Sequence, residues 1–202
     1  MKRRQVGNLL ALAALSYLSR QPMHPYELSK TLRTYGDERS IKFTHGSLYM
    51  VIQQLAKAGF VAEQEVSREG ARPERTVYGI TDAGRAELRD WLRELVGQPQ
   101  HEYPAFVSAL SLVAALTPNE VVALLRERLD GLAAQRKEAA ELIEKSEAEG
   151  VPPLFLIEEV YRVRLLDAES AFVEEFLAKI SDPDEGWGPM WAAAHGTTFN
   201  PE

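Results

Sequence analysis

Cysteine is absent from the sequence. A disulfide scaffold, a thiol nucleophile and a zinc site built on thiolates are therefore excluded, and a cytoplasmic location is the expectation. Histidine is scarce. His24, His45, His101 and His195 share no metal-ligand spacing with one another or with an acid pair. No metal and no cofactor are expected, and each histidine reads as a surface or capping residue. There is no phosphate-binding glycine loop, and Gly186-Trp-Gly188 lacks the preceding strand that a nucleotide site needs. The doublets Glu158-Glu159 and Glu174-Glu175 read as solvated positions on a helix. The chain is thus not expected to be an enzyme. No apolar run reaches the roughly 18 residues of a membrane span. Lys2-Arg3-Arg4 and the apolar stretch Val6–Leu18 imitate a secretory leader, but Ser19-Arg-Gln-Pro22 offers no small-residue cleavage site. The stretch is expected to be a buried first helix.

Net charge is unevenly distributed. Residues 1–96 carry a net +4 and residues 97–202 a net −11. The front half is suited to an anionic partner and the back half is not.

Hydrophobic spacing and stop signals predict helices over Gly7–Ser19 and Pro25–Tyr35. Pro25 stands at a first helical position, and Gly36 is the stop. A third helix starts after Thr44, carries Leu48, Val51, Ile52 and Leu55 at i, i+3, i+4, i+7, and ends at Gly59. Val61–Val66 and Arg75–Thr81 read as a hairpin whose charged tip spans 67–74. A fourth helix runs from Asp82 to about Val96. Gly97–Pro104 is the expected boundary, and the chain beyond it is helical. Phe106–Leu116 is a short helix. Thr117-Pro-Asn-Glu120 is a capping box that opens a long helix to Glu149. After the break at Gly150–Pro153, Leu154–Ile180 forms a second long helix, antiparallel to the first. The Gly/Pro-rich tail 182–202 holds Trp187 and Trp191 and is either disordered or docked through them.

The expected fold class is mainly α: a winged helix-turn-helix over 1–96, then an α-helical hairpin domain over 97–181. If the third helix buries its apolar stripe, Gly46, Met50, Gln53 and Lys57 face outward, flanked by Ser47, Tyr49 and Gln54. That face has hydrogen-bonding and cationic groups but no carboxylate, as a helix entering a major groove requires. Arg72 and Arg75 stand at the wing, where they can reach a neighbouring groove or backbone. The rival reading is a protein–protein interaction adaptor that uses a winged helix without DNA; the charge split argues against it.

Ser47-Leu-Tyr49, Leu55-Ala-Lys-Ala-Gly59-Phe-Val61, and Gly70, Arg72-Pro73, Arg75, Tyr78-Gly-Ile80-Thr81 and Ala83-Gly84 at their mutual spacing resemble the PadR family of transcriptional regulators. His24-Pro-Tyr-Glu-Leu28 matches its upstream signature with Pro25 in place of the usual glycine, and Met50 stands where a proline often follows the Leu-Tyr pair. The resemblance covers about residues 7–96, and the acidic helical remainder is similar to the longer branch of the family, with a C-terminal dimerisation domain. It implies that Thr44, His45, Ser47 and Tyr49 meet phosphates and base edges. Tyr26 and Lys42 would clamp the DNA backbone, and Arg72 and Arg75 would serve the wing.

The expected partners are therefore double-stranded DNA with a pseudo-palindromic operator, a second copy of the chain, and a small aromatic or amphipathic effector. Gln53 and Lys57 join the DNA-binding set through their outward placement. Leu125, Leu129, Leu132, Ile157, Tyr161, Leu165, Phe172 and Phe176 are assigned to dimerisation, because the long helices carry apolar stripes wider than one hairpin covers. Trp91, Tyr103 and Phe106 are the candidate lining of an effector pocket between the domains. Steric repression is the simplest mechanism.

Overall fold

Asn8 opens the first helix by accepting the Leu10 N–H at 2.8 Å, a side-chain cap that fixes where α1 (Leu9–Leu18) starts. In the computed structural model, residues 4–64, 76–182 and 184–200 are described. The chain forms two compact units, Met1–Glu102 and Tyr103–Glu202.

In the first unit, α1 buries Leu10, Ala11, Ala14, Leu15 and Leu18. It packs on α3 (His45–Lys57) and α4 (Asp82–Gly97). Helix α2 (Pro25–Thr34) is capped by His24, whose Nδ1 accepts the Tyr26 N–H at 3.1 Å, while Glu27 reaches back to the His24 N–H. The apolar stripe of α3 faces inward as its spacing requires: Leu48, Val51, Ile52 and Leu55 are all buried. Gly59 adopts φ +77 and so ends α3 in the left-handed region that favours glycine.

Strands β1 (Val61–Gln64) and β2 (Val77–Ile80) pair antiparallel, with Val61 opposite Ile80 and Gln64 opposite Val77. The hairpin tip, including Arg72 and Arg75, lies outside the described residues. An isolated bridge that the sequence did not announce lies beside this two-stranded sheet. Met23 and Tyr78 exchange both backbone hydrogen bonds at 3.0 Å, so the turn before α2 is tied to the wing. The sheet is locked to α4 by Thr81, whose hydroxyl donates to the Gly59 carbonyl at 2.7 Å and accepts the Gly84 N–H at 3.1 Å. A side chain at Gly84 would collide with the Phe60 carbonyl, which is why only glycine fits there.

The N-terminal segment is anchored by Arg4. Its guanidinium bonds Glu87 at 2.6 Å, Glu94 at 2.5 Å and Asp90 at 3.3 Å along one face of α4, and it lies 5.1 Å from the Trp91 ring centroid. This cation is therefore already neutralised and does not add to the exposed basic surface of the front half.

In the second unit, α5 (Ala105–Ser111) leads to α6 (Pro118–Ala148). The Thr117 hydroxyl and backbone N–H hold the Glu120 carboxyl below the ordinary carboxylate value and complete the expected capping box. Helix α7 (Ile157–Ser181) follows a short 3-10 turn at Pro153–Leu156 and returns along α6. The seam is built on seven-residue spacing. Leu125, Leu132 and Ala139 of α6 are buried, as are Glu159, Leu166, Val173 and Ile180 of α7. Ion pairs Arg128–Glu169 and Arg136–Asp167 bridge the two helices.

One expectation is corrected here. Leu125 and Leu132 lie inside the hairpin, not on a surface open to a second copy, and Leu129 is half-buried beside them. On α7 the assigned stripe is the outer one: Ile157, Tyr161, Leu165 and Phe172 are exposed, and only Phe176 packs partly on the core. The tail is ordered as α8 (Trp187–Ala194), which packs on α6 and α7 with Gly188 and Ala192 buried. Phe199 fills the space a side chain at Gly188 would need. Thr198 and Asn200 are then held by Asn119, which donates to the Thr198 carbonyl and accepts the Asn200 N–H, both at 2.9 Å.

Candidate nucleic-acid interface

The start of α3 carries a compact polar site. The Thr44 hydroxyl accepts the Ser47 N–H at 3.1 Å, and the Ser47 hydroxyl accepts the Thr44 N–H at 2.8 Å while donating to the Thr44 carbonyl at 2.9 Å. This arrangement pins the N-cap and leaves the Thr44 hydroxyl its own proton to donate. The backbone N–H groups of the next two residues, His45 and Gly46, precede the first intrahelical bond of α3, which is made by Leu48. Such free N–H groups, reinforced by the helix dipole, favour an anion.

An aromatic cluster supports this helix start from α2. His45 lies 5.5 Å from Tyr26 and 5.4 Å from Tyr49, ring centre to ring centre, and His24 lies 6.2 Å from Tyr49. The His45 Nδ1 is 3.1 Å from the hydroxyl of buried Ser29, which fixes the ring and leaves Nε2 turned away from that bond. Tyr26 is 56% exposed, so its hydroxyl remains open to a ligand. Tyr49 is half-buried between the two histidines, which makes it as much a packing residue as a contact. Lys42 is exposed just before the helix.

Gly46, Met50, Gln53 and Lys57 are all exposed along the outer face of α3, with Gln54 beside them. Among these residues there is no carboxylate. Acids on the adjoining segments are engaged: Glu27 caps α2, Glu38, which shares a surface hollow with Lys42, Thr44 and Ser47, pairs with Arg33 at 3.4 Å, and Glu63 accepts from the Tyr78 hydroxyl at 3.2 Å. The structure therefore brings Tyr26, Lys42, Thr44, His45, Ser47, Tyr49, Gln53 and Lys57 onto α3 and the segments that adjoin it. Arg72 and Arg75 lie outside the described residues.

The effector lining read from the sequence is divided between the two units, Trp91 in the first and Tyr103 and Phe106 in the second. Trp91 is fully buried beneath Arg4 in the first unit. Tyr103 is 85% exposed. Phe106 packs against the core of the second unit with the Arg128 guanidinium 3.5 Å over its ring. Among the described residues, no group of three or more histidines and acids could hold a metal ion, and no helix is long and apolar enough to cross a membrane.

Known proteins share this arrangement. The sequence pattern of the transcriptional regulator PadR-like family matches residues 14–90, from the middle of α1 to the middle of α4. The chain is 24% identical over 148 residues to the Negative transcriptional regulator PadR of Bacillus subtilis, covering 73% of this chain and 80% of that protein. It is 34% identical over 86 residues to the Probable transcriptional regulator Rv1176c of Mycobacterium tuberculosis, 41% of this chain and 42% of that one. Two crystal structures of Bacillus subtilis PadR share the fold. The complex with operator DNA has a TM-score of 0.58 at 20% identity, over 82% of this chain and 99% of that one. The complex with p-coumaric acid has a TM-score of 0.66 at 19% identity, over 88% and 97%. Residues 14–90 carry the PadR-like transcriptional regulator pattern, and the chain is similar to PadR of Bacillus subtilis in sequence and, through the helical unit as well, in fold.

Proposed function

We propose that this regulator is a cytoplasmic, homodimeric repressor that binds a pseudo-palindromic DNA operator and is released by a small molecule. The observation that carries the DNA reading is the outer face of α3, exposed, cationic at Lys57 and free of carboxylates, with an anion-favouring N-terminus behind it. In this reading Tyr26, Lys42, Thr44, His45 and Ser47 hold phosphates, with Tyr49 backing them. Gln53 reads a base edge, Lys57 meets the backbone farther along the groove, and Arg72 and Arg75 serve the wing. Bound at a promoter, such a dimer excludes other proteins by occupying the groove. The effector arm is supported by a neighbour: Bacillus subtilis PadR has been crystallised both with operator DNA and with p-coumaric acid.

Selection of bound duplexes from a random pool tests the reading directly. It should return two half-sites related by a two-fold axis and a helical turn or a multiple of it apart. Recovery of unrelated sequences with no shared half-site would end the operator proposal. Lys57→Ala should then weaken binding to specific and random duplexes alike and make the salt dependence shallower by about one unit of slope, as loss of one phosphate contact does. Titration at several salt concentrations reads both effects. A changed sequence preference at unaltered slope would move Lys57 to base readout.

The dimer reading rests on the outer stripe of α7. Ile157 is 60% exposed, Tyr161 64% and Leu165 52%, an apolar row with no cover in a single chain. Leu165→Asp should convert a dimer to a monomer at micromolar concentration while leaving the melting of the hairpin nearly unchanged. Sedimentation velocity decides it, and a wild-type chain that already sediments as a monomer refutes the assignment.

A further inference from the structure

Within the second unit, α5, α7 and α8 line an open cleft of about 640 Å3, with Phe172, Phe176, Trp187, Met190 and Trp191 among its walls. The volume lies in the range of small-molecule sites, roughly 300–1,000 Å3. Its rings are set as a bent wall: Phe172 and Phe176 are 6.2 Å apart at 35°, Phe176 and Trp187 6.1 Å apart at 57°. Tilted rings at such spacing present π faces, which carry negative electrostatic potential, to whatever lies between them. The structure already contains one instance of this attraction, since the Lys179 ammonium stands 5.8 Å over the Trp187 ring. Glu175 and Lys179, one helical turn apart on α7, both line the cavity. Residues 174–185 hold five acids and a single base, within a half of the chain that carries a net −11.

We propose that this cavity is a binding site for a planar aromatic organic cation. Its ring system would lie against Phe172, Phe176 and Trp187, and its charge would take the place of Lys179 over the indole and face Glu175. With Lys179 displaced, Glu175 is the charged group left in the lining, and it favours a cation over an anion. Because α8 supplies Trp187, Met190 and Trp191, the C-terminal helix is a wall of the site and not a mere extension of the hairpin. The inference deepens the effector reading above, and only its regulatory consequence rests on that reading. Binding is measured without DNA, so failure of the site and failure of the DNA proposal are separately visible.

The test uses the full chain with ethidium as the planar cation and 8-anilinonaphthalene-1-sulfonate as an aromatic anion of similar size, followed by indole and dye emission. Ethidium should bind roughly tenfold more tightly than the anion, in keeping with a desolvated cation–π contribution. Glu175→Gln should weaken ethidium about fivefold, the effect of one unit charge near the surface, and leave the anion unchanged or improved. Met190 is 73% exposed at the cavity. Met190→Arg should therefore leave melting temperature and sedimentation unchanged, while placing a competing cation at the mouth and lowering ethidium affinity at least tenfold. Equal or tighter binding of the anion overturns the proposal. So does unaltered ethidium affinity in Met190→Arg. A Met190→Arg variant that becomes monomeric also overturns it, because a second copy would then be the occupant.

Discussion

Gln53→Ala should melt within about 0.5 kcal/mol of wild type and yet lose selectivity at one position of each half-site. Ile52→Ala, one residue away, should lose roughly 2–5 kcal/mol of stability and bind operator only less well as the domain unfolds. The contrast follows from the orientation of α3. Ile52 is 1% exposed and packs in the first-unit core with Leu48, Val51 and Leu55, so removing its outer carbons leaves a cavity the neighbours cannot fill. Gln53 is exposed on the face shared with Gly46, Met50 and Lys57. Its amide can bond an adenine edge bidentately, worth about 1–3 kcal/mol of discrimination, and its loss touches no packing. Thermal melts of both variants, with affinities for the operator and for single-base changes within it, separate the outcomes. If Gln53→Ala unfolds the unit while Ile52→Ala is silent, the groove-facing assignment of the whole face is wrong.

The rotation of α3 was legible because its stripe is narrow and the opposite face is wholly polar or small apart from Met50, so only one rotation buries the apolar set. Helix α7 shows the contrary case. Val160, Val163, Leu166, Val173 and Leu177 accompany the outer row of Ile157, Tyr161, Leu165 and Phe172. With apolar side chains nearly all round, periodicity permits more than one inward face. The face that wins carries Leu166, Val173 and Ile180 at seven-residue spacing, in step with Leu125, Leu132 and Ala139 of α6. It also carries Glu159, which is buried but bonded to Arg162 at 3.1 Å, and a carboxylate in that row disguises it in the sequence. The seam was recoverable only by matching the two helices to each other.

The candidate interface divides in the same way. Thr44 as N-cap and Gln53 and Lys57 as outward residues follow from local rules. The contacts among His24, Tyr26, Ser29, His45 and Tyr49 do not, since they join two helices through side chains separated by up to 25 positions. His24 as a cap of α2 agrees with the reading of histidines as surface or capping residues, whereas His45 gains a role from its bond to Ser29 that spacing alone does not reveal. The Met23–Tyr78 bridge is equally non-local: one residue sits in a proline-bounded turn that gives no strand signal. The ordered tail is explained by Phe199 and Trp191, which pack on the second core. Their burial outweighs the breaking tendency of the glycines and prolines between them, and a composition count sees only the latter.

Arg4→Ala should destabilise the first unit by about 3 kcal/mol, the lower end of what is lost when a buried ion pair is left with one partner. The Arg4 side chain is 1% exposed and is bonded to three carboxylates, of which Glu87 and Glu94 are 17% and 11% exposed. Without the guanidinium, those two acids stand about two turns apart on one face of α4 with no counter-charge, and the Trp91 ring loses its cover. Asp90, at 53% exposed, is already screened by water and adds little, which is why the lower end applies. Arg4→Met should recover part of the loss by restoring apolar cover over Trp91, and Arg4→Met combined with Glu87→Gln should recover more by removing an orphaned charge. The stability difference between wild type and Arg4→Ala should persist in high salt, since a buried pair is screened far less than a surface one. Denaturant unfolding of the three variants at two salt concentrations measures each of these. Composition alone places Arg4 in the basic front surface that would meet DNA. If Arg4→Ala lowers affinity for random duplex while its unfolding midpoint stays at the wild-type value, Arg4 is a DNA contact and the lock on α4 is refuted.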